Sequence, residues 1–184
     1  MLWQSDHLKH VMSASADGRF LVIDVHEGTD EQDLWIFPLT GNGSPEPVVD
    51  IDFDEDDGAI SPDGRWFTYA STQSGRYEIY VIPFQREGEP IQVSLDGAKQ
   101  PRWQRDGRQL FYIALNGTLM AVAFDDGEVG LPKPLFDTGI SNPERSSLRW
   151  DVSADGQHFI VGVPAGDSAT RRIRVVLDWA SRME

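Results

Sequence analysis

Polar and apolar residues along this chain of 184 residues come in short runs that return in the same order four times. Each run follows an Asp-Gly pair: Asp17-Gly18, Asp63-Gly64, Asp106-Gly107 and Asp155-Gly156. Four positions past the aspartate stand Leu21, Phe67, Leu110 and Phe159, and six past it stand Ile23, Tyr69, Tyr112 and Val161. Between them lie Val22, Thr68, Phe111 and Ile160, so the run leans apolar on both faces. A strand that is apolar on both faces is buried on both faces. No long window keeps a helical period, and the chain is predicted to be all-β.

A second register repeats in step with the first. Asp33-Leu34-Trp35-Ile36-Phe37-Pro38-Leu39 parallels Glu78-Ile79-Tyr80-Val81-Ile82-Pro83-Phe84. Thr118 to Phe124 takes the same place in the third copy, and Ile173 to Leu177 in the fourth. These read as third strands. Pro47-Val48-Val49, Pro90 to Val93 and Pro134-Leu135-Phe136 read as outer fourth strands, where an exposed edge tolerates proline. Innermost first strands are expected at His10-Val11-Met12, Gly58-Ala59-Ile60, Gln100 to Trp103 and Leu148 to Val152. Each Asp-Gly suits the tight turn into the second strand, because Gly adopts positive φ without steric cost and Asp tolerates it.

The aspartates recur at intervals of 46, 43 and 49 residues. That period fits the blades of a β-propeller, in which four-stranded sheets stack on one another and share their core. One propeller segment spanning 1–184 is expected, with blades near 8–50, 57–95, 99–137 and 147–179. Three blades are complete and the fourth lacks an outer strand. An incomplete set leaves open faces and a strand edge. The chain is therefore expected to be part of a larger ring, completed by missing N-terminal blades or by self-association; a closed four-bladed ring is the third arrangement.

Composition narrows the function classes. Thirty acidic against 16 basic residues give a net charge of −14, which opposes phosphate binding and hence nucleic acid. No stretch approaches the roughly 20 apolar residues of a membrane span, so no direct membrane insertion is expected. Cys is absent, which removes disulfides, zinc thiolates and thiol catalysis.

Candidate chemistry is sparse. Asp52, Asp54 and Asp56 have the first spacings of a calcium loop, but Asp57 stands where that loop needs Gly and Asp63 where it needs Glu. A solvated inter-blade loop is the preferred reading. Asp6, His7 and His10 offer three zinc ligands without a helical framework, while His26 and His158 read as surface or half-buried strand residues. Trp35, Trp66, Trp103 and Trp150 are expected to fill space between blades. Arg102 and Arg149, beside Trp103 and Trp150 taken as equivalent, are the candidates for a ligand site at the mouth of a central channel. No cofactor and no catalytic residue is expected.

Ser61-Pro62-Asp63-Gly64-Arg65-Trp66, followed by Ser71 to Val81, resembles the TolB-like (WD-repeat-like) β-propeller of bacteria. More narrowly, Gly97 to Gly107, then Leu110-Phe111-Tyr112, Asn116 to Val122, Pro134-Leu135-Phe136 and Val175 to Trp179 resemble the C-terminal propeller of bacterial eukaryote-type serine/threonine protein kinases. Asp178 stands where that group usually has Asn, and Ala16 and Ala154 replace the proline of Ser-Pro-Asp-Gly. The resemblance implies a non-catalytic binding or scaffolding module, the sensory or protein-interaction tail of a kinase-like protein, on the extracytoplasmic side. It also admits an accessory domain of a prolyl-oligopeptidase-type hydrolase, or a free-standing TolB-like periplasmic interaction protein. The chain itself has no kinase motif and no Gly-x-Ser-x-Gly elbow.

Overall fold

The Asp-Gly turns set the frame. In the first, Ser15 Oγ donates to Asp17 Oδ1 at 2.7 Å and accepts from the backbone N–H of Phe20 at 2.9 Å. In the second, Ser61 Oγ donates to Asp63 Oδ1 at 2.6 Å and accepts from Trp66 N–H at 2.9 Å. Ser153 does the same with Asp155 and His158. Gly18, Gly64, Gly107 and Gly156 have φ between 69° and 74°, the left-handed region in which a side chain is strained. The third turn departs from the pattern: Gln104 replaces serine, and its Nε2 reaches Asp155 O at 3.2 Å, tying this turn to the next.

The computed structural model describes residues 7–27, 31–41, 43–49, 51–144, 150–164 and 171–176. Every element among them is a strand. The first sheet is β1 (Leu8–Ala14), β2 (Phe20–Glu27), β3 (Glu31–Pro38) and β4 (Glu46–Pro47), in that spatial order. The second repeats it with β5 (Glu55–Ile60), β6 (Trp66–Ser71), β7 (Glu78–Pro83) and β8 (Ile91–Gln92). The third holds β9 (Ala98–Trp103), β10 (Gln109–Ala114) and β11 (Thr118–Asp125), with β12 (Glu128–Val129) and β13 (Lys133–Asp137) both pairing β11. The fourth holds β14 (Trp150–Val152), β15 (Phe159–Pro164) and β16 (Arg171–Val176). All pairings are antiparallel. No helix among the described residues is long and apolar enough to cross a membrane.

The second strands divide their side chains between neighbouring sheets. From β6, Phe67 and Tyr69 enter a cluster with Val22, Leu34 and Ile36 of the first sheet. Trp66 and Ala70 enter a different cluster, with Leu110, Tyr112, Val122 and Phe124 of the third. Phe111, Ile113 and Leu119 pack in turn on Trp150, Phe159 and Val161. This is why the runs are apolar on both faces: the second and third sheets are each a blade between two others. Glu55, Asp57, Thr68, Ser71 and Glu78 are the buried polar exceptions on the strands of the second blade.

Three expectations need correction. The first strands of blades 1 to 3 are longer than the sequence indicates, and a register shift lies within each of β1, β5 and β9. Asp57 and Gln100, both six residues before their turn aspartates, have φ of 56° and 58° and carry the strand through its irregularity. Second, the third blade has an unforeseen short strand, β12, folded onto β11 by Asp126-Gly127 with φ of 46° and 95°. Third, Trp103 and Trp150 are not equivalent. Trp103 pairs with Leu110, four past its turn aspartate, and Trp150 with Val161, six past its own. The described residues do not close a four-bladed ring: the first and fourth sheets share no cluster. Leu148, Arg149 and Leu177 to Glu184 lie outside the described residues.

Candidate functional site: a cleft at the inner strands

The innermost strands of three blades border a cleft of about 420 Å³. His10, Val11 and Met12 of β1, Asp24 and His26 of β2, and Gln32 of β3 form one side. Asp56 and Asp57 of β5 and Arg102 of β9 form the other. The residues seven positions before the first three turn aspartates are His10, Asp56 and Lys99; His10 and Asp56 line the cleft, and Lys99 is buried against Asp56.

Lys99 is buried and is held by the neighbouring blade. Its Nζ lies 2.5 Å from Asp56 Oδ2 and 3.6 Å from Asp57 Oδ2, and 3.8 Å from the centre of the Tyr77 ring. Gln100 N–H donates to Asp57 Oδ2 at 3.0 Å, adding a second tie between blades 2 and 3. Burial, then the fields of Asp54 and Asp56, raise the Tyr77 hydroxyl well above its ordinary range, so this ring stays neutral.

On blade 1, the β1–β2 register sets His10 opposite Asp24, and His26 follows two residues later on the same face. His26 Nε2 is 2.8 Å and His10 Nδ1 3.4 Å from Asp24 Oδ2. The two rings meet edge to face at 5.2 Å. Asp24 is only 3% exposed, and its Oδ1 is buried without a hydrogen-bond partner. Burial and, next, the charge of Asp56 push the Asp24 carboxyl above the usual carboxylate range, against the opposing pull of the two histidines.

The sequence candidates fare unevenly. Arg102 does line the cleft, with Nη1 donating to Pro101 O at 2.8 Å. Trp103 turns away from it, packing on Phe124 at 5.0 Å and donating through Nε1 to Ala59 O at 3.3 Å. Trp150 is buried between blades 3 and 4 against Phe159, away from any mouth. Arg149 lies outside the described residues. Asp52, Asp54 and Asp56 do not gather as a calcium site: Asp52 is exposed in a bend, and Asp56 is engaged by Lys99. Asp6 is outside the described residues, and His10 joins Asp24 and His26 instead of His7. The one signal in the sequence for that group is the pair of histidines flanking an aspartate on two strands of one hairpin.

No family model matches the chain. Over 58 residues it is 34% identical to Protein HIR1 of Coccidioides immitis (strain RS), a stretch covering 32% of this chain and 5% of that protein. A structure of a protein described as TolB from Agrobacterium tumefaciens superposes with a TM-score of 0.72 at 22% identity, covering 96% of this chain and 60% of that one. TolB from Acinetobacter baumannii gives 0.73 at 17% identity, covering 96% and 43%. The fold is that of the TolB-like propellers. Hydrazine synthase of Kuenenia stuttgartiensis gives 0.58 at 17% identity, covering 91% and 45%, so propellers of this shape also occur in a protein described as an enzyme. The chain spans less than two thirds of each of these structures.

Proposed function

We propose that this chain is a non-catalytic propeller module for interaction, holding a protein segment or small ligand in the cleft bordered by its inner strands. The observation that carries the reading is the convergence of Arg102, Asp56, Asp57, His10 and His26 from three blades on one open cleft. Strands packed on both faces make a rigid frame, and polar groups at the inner edge supply recognition. Peptides selected from a displayed random library on the wild-type protein are expected to lose binding to a folded Arg102→Glu variant. Equal binding by the variant would contradict the cleft as the recognition surface.

The finer reading is that the module is the sensory or interaction tail of a kinase-like protein, on the extracytoplasmic side of a membrane. The blade order supports it through its resemblance to kinase propellers. The likeness to two TolB structures favours a second reading, a free-standing TolB-like interaction protein. The genomic reading frame separates them. A kinase core and one membrane span upstream support the first; a signal peptide and further blades alone support the second.

A further inference from the structure

We propose that His10, Asp24 and His26 form a binding site for a divalent transition metal of the zinc class, in the wall of the cleft on blade 1. Their ligand atoms, His10 Nδ1, Asp24 Oδ2 and His26 Nε2, all lie within 4.8 Å of one another. A tetrahedral zinc with bonds of about 2.0–2.1 Å places neighbouring ligand atoms about 3.3 Å apart. The separations of 3.4 and 2.8 Å from the shared carboxylate oxygen bracket that edge. As a plain hydrogen-bonded group the arrangement is uneven: both imidazoles lie on Oδ2, and His10 stands at the far limit of a hydrogen bond.

Asp24 supplies the independent observation. Its side chain is almost wholly buried, yet Oδ1 has no hydrogen-bond partner. A buried carboxylate without full compensation is costly, and a cation held at Oδ2 offsets its negative charge. The surroundings suit coordination as well. Gln32 lies with its amide 3.4 Å from His26 Nδ1, the ring nitrogen left over when Nε2 binds metal. With the amide turned to present its oxygen, Gln32 accepts the Nδ1 proton and fixes the ring, the usual outer support of a metal-bound histidine.

Two imidazoles and one carboxylate favour zinc, cobalt, nickel or copper over calcium or magnesium. Three protein ligands leave one position of a tetrahedron open, and His10, about half exposed, sets that position toward the cleft. A water or a donor atom of the bound partner would complete the shell. With water in that position the metal is held without any occupant of the cleft.

The test is titration of the metal-stripped full chain with Co²⁺ alone, followed by visible absorption, then displacement with Zn²⁺. One equivalent is expected to give the bands of a four- or five-coordinate ion, removed by zinc, and zinc is expected to raise Tm. His10→Ala and His26→Gln should each weaken binding by at least about tenfold, while His158→Ala leaves it unchanged. Absence of saturable binding by the wild type, or equal binding by His10→Ala, would overturn the proposal. Because His10 is half exposed, its variant decides the matter even where His26→Gln does not fold.

Discussion

Lys99 Nζ of blade 3 sits 2.5 Å from Asp56 Oδ2 of blade 2, with the lysine side chain 3% exposed and the aspartate 18%. The pair fastens two inner strands where apolar packing gives way to the polar cleft. Removing one partner of a buried pair leaves the other charge without compensation, at a cost of about 3–5 kcal/mol. Lys99→Met is expected to cost about 3 kcal/mol in chemical denaturation, and Lys99→Met/Asp56→Asn less than the two single changes together. Additivity of the two would show that the charges do not couple.

Gly64 and Gly107 have φ of 69° and 74°, and a Cβ at Gly64 would meet nothing within 4 Å. Their substitution cost is therefore backbone strain. Gly64→Val and Gly107→Val should each destabilise by at least about 1 kcal/mol. Gly58 differs: an added Cβ would lie 2.7 Å from Phe67, 2.9 Å from Val22 and 3.0 Å from Leu34, at the joint between blades 1 and 2. Gly58→Ala should destabilise through packing, and melting temperatures unchanged in all three would contradict the turn and joint geometry.

Glu55 is fully buried; Ser71 Oγ donates to its Oε1 at 3.2 Å, and Oε2 has no partner. Burial raises its pKa from 4.5 to about 8, with smaller contributions from Asp33 and Asp54. The folded chain thus holds a proton that the unfolded chain releases, so this contribution is complete below pH 4.5 and is lost as pH rises toward about 8. Glu55→Gln, which mimics the protonated form, should flatten the decline of Tm across that window. An equal slope in both proteins would mean that Glu55 is ionised in the fold.

Ser61 serves its turn with a hydroxyl that donates to Asp63 and accepts from Trp66 N–H. Ser61→Ala removes both contacts beneath a buried strand start, and a loss of about 1–2 kcal/mol is expected by thermal melting. A variant as stable as wild type would show that the Asp-Gly turn holds without its serine.

The blades were legible because their determinants are local. The four recurring Asp-Gly pairs each fix a turn, and Phe67 beside Trp66 already states that both faces of β6 are covered. Asp126-Gly127 carried the same turn signal, but the two-residue strand it introduces, Glu128–Val129, is too short to show a hydrophobic period. The inner strands look short in the sequence because Asp57 and Gln100 interrupt alternation with left-handed backbone, which polar residues tolerate without announcing it. The equivalence of Trp103 and Trp150 failed for a related reason: irregular inner strands decouple sequence neighbours from sheet register. The histidine–aspartate group was hidden because His10 and Asp24 meet only through the β1–β2 pairing, while His7, close to His10 in sequence, does not join it.

The radial stacking of blades is tested most directly by nuclear Overhauser contacts from two adjacent residues. Trp66 and Phe67 follow one another on β6, yet Trp66 meets Phe124 at a centroid distance of 5.3 Å while Phe67 packs with Val22 and Leu34. Selectively labelled protein is expected to show Trp66 ring contacts to Phe124 and Phe67 ring contacts to the Val22 and Leu34 methyls. Contacts from both rings to a single neighbouring sheet would contradict the propeller.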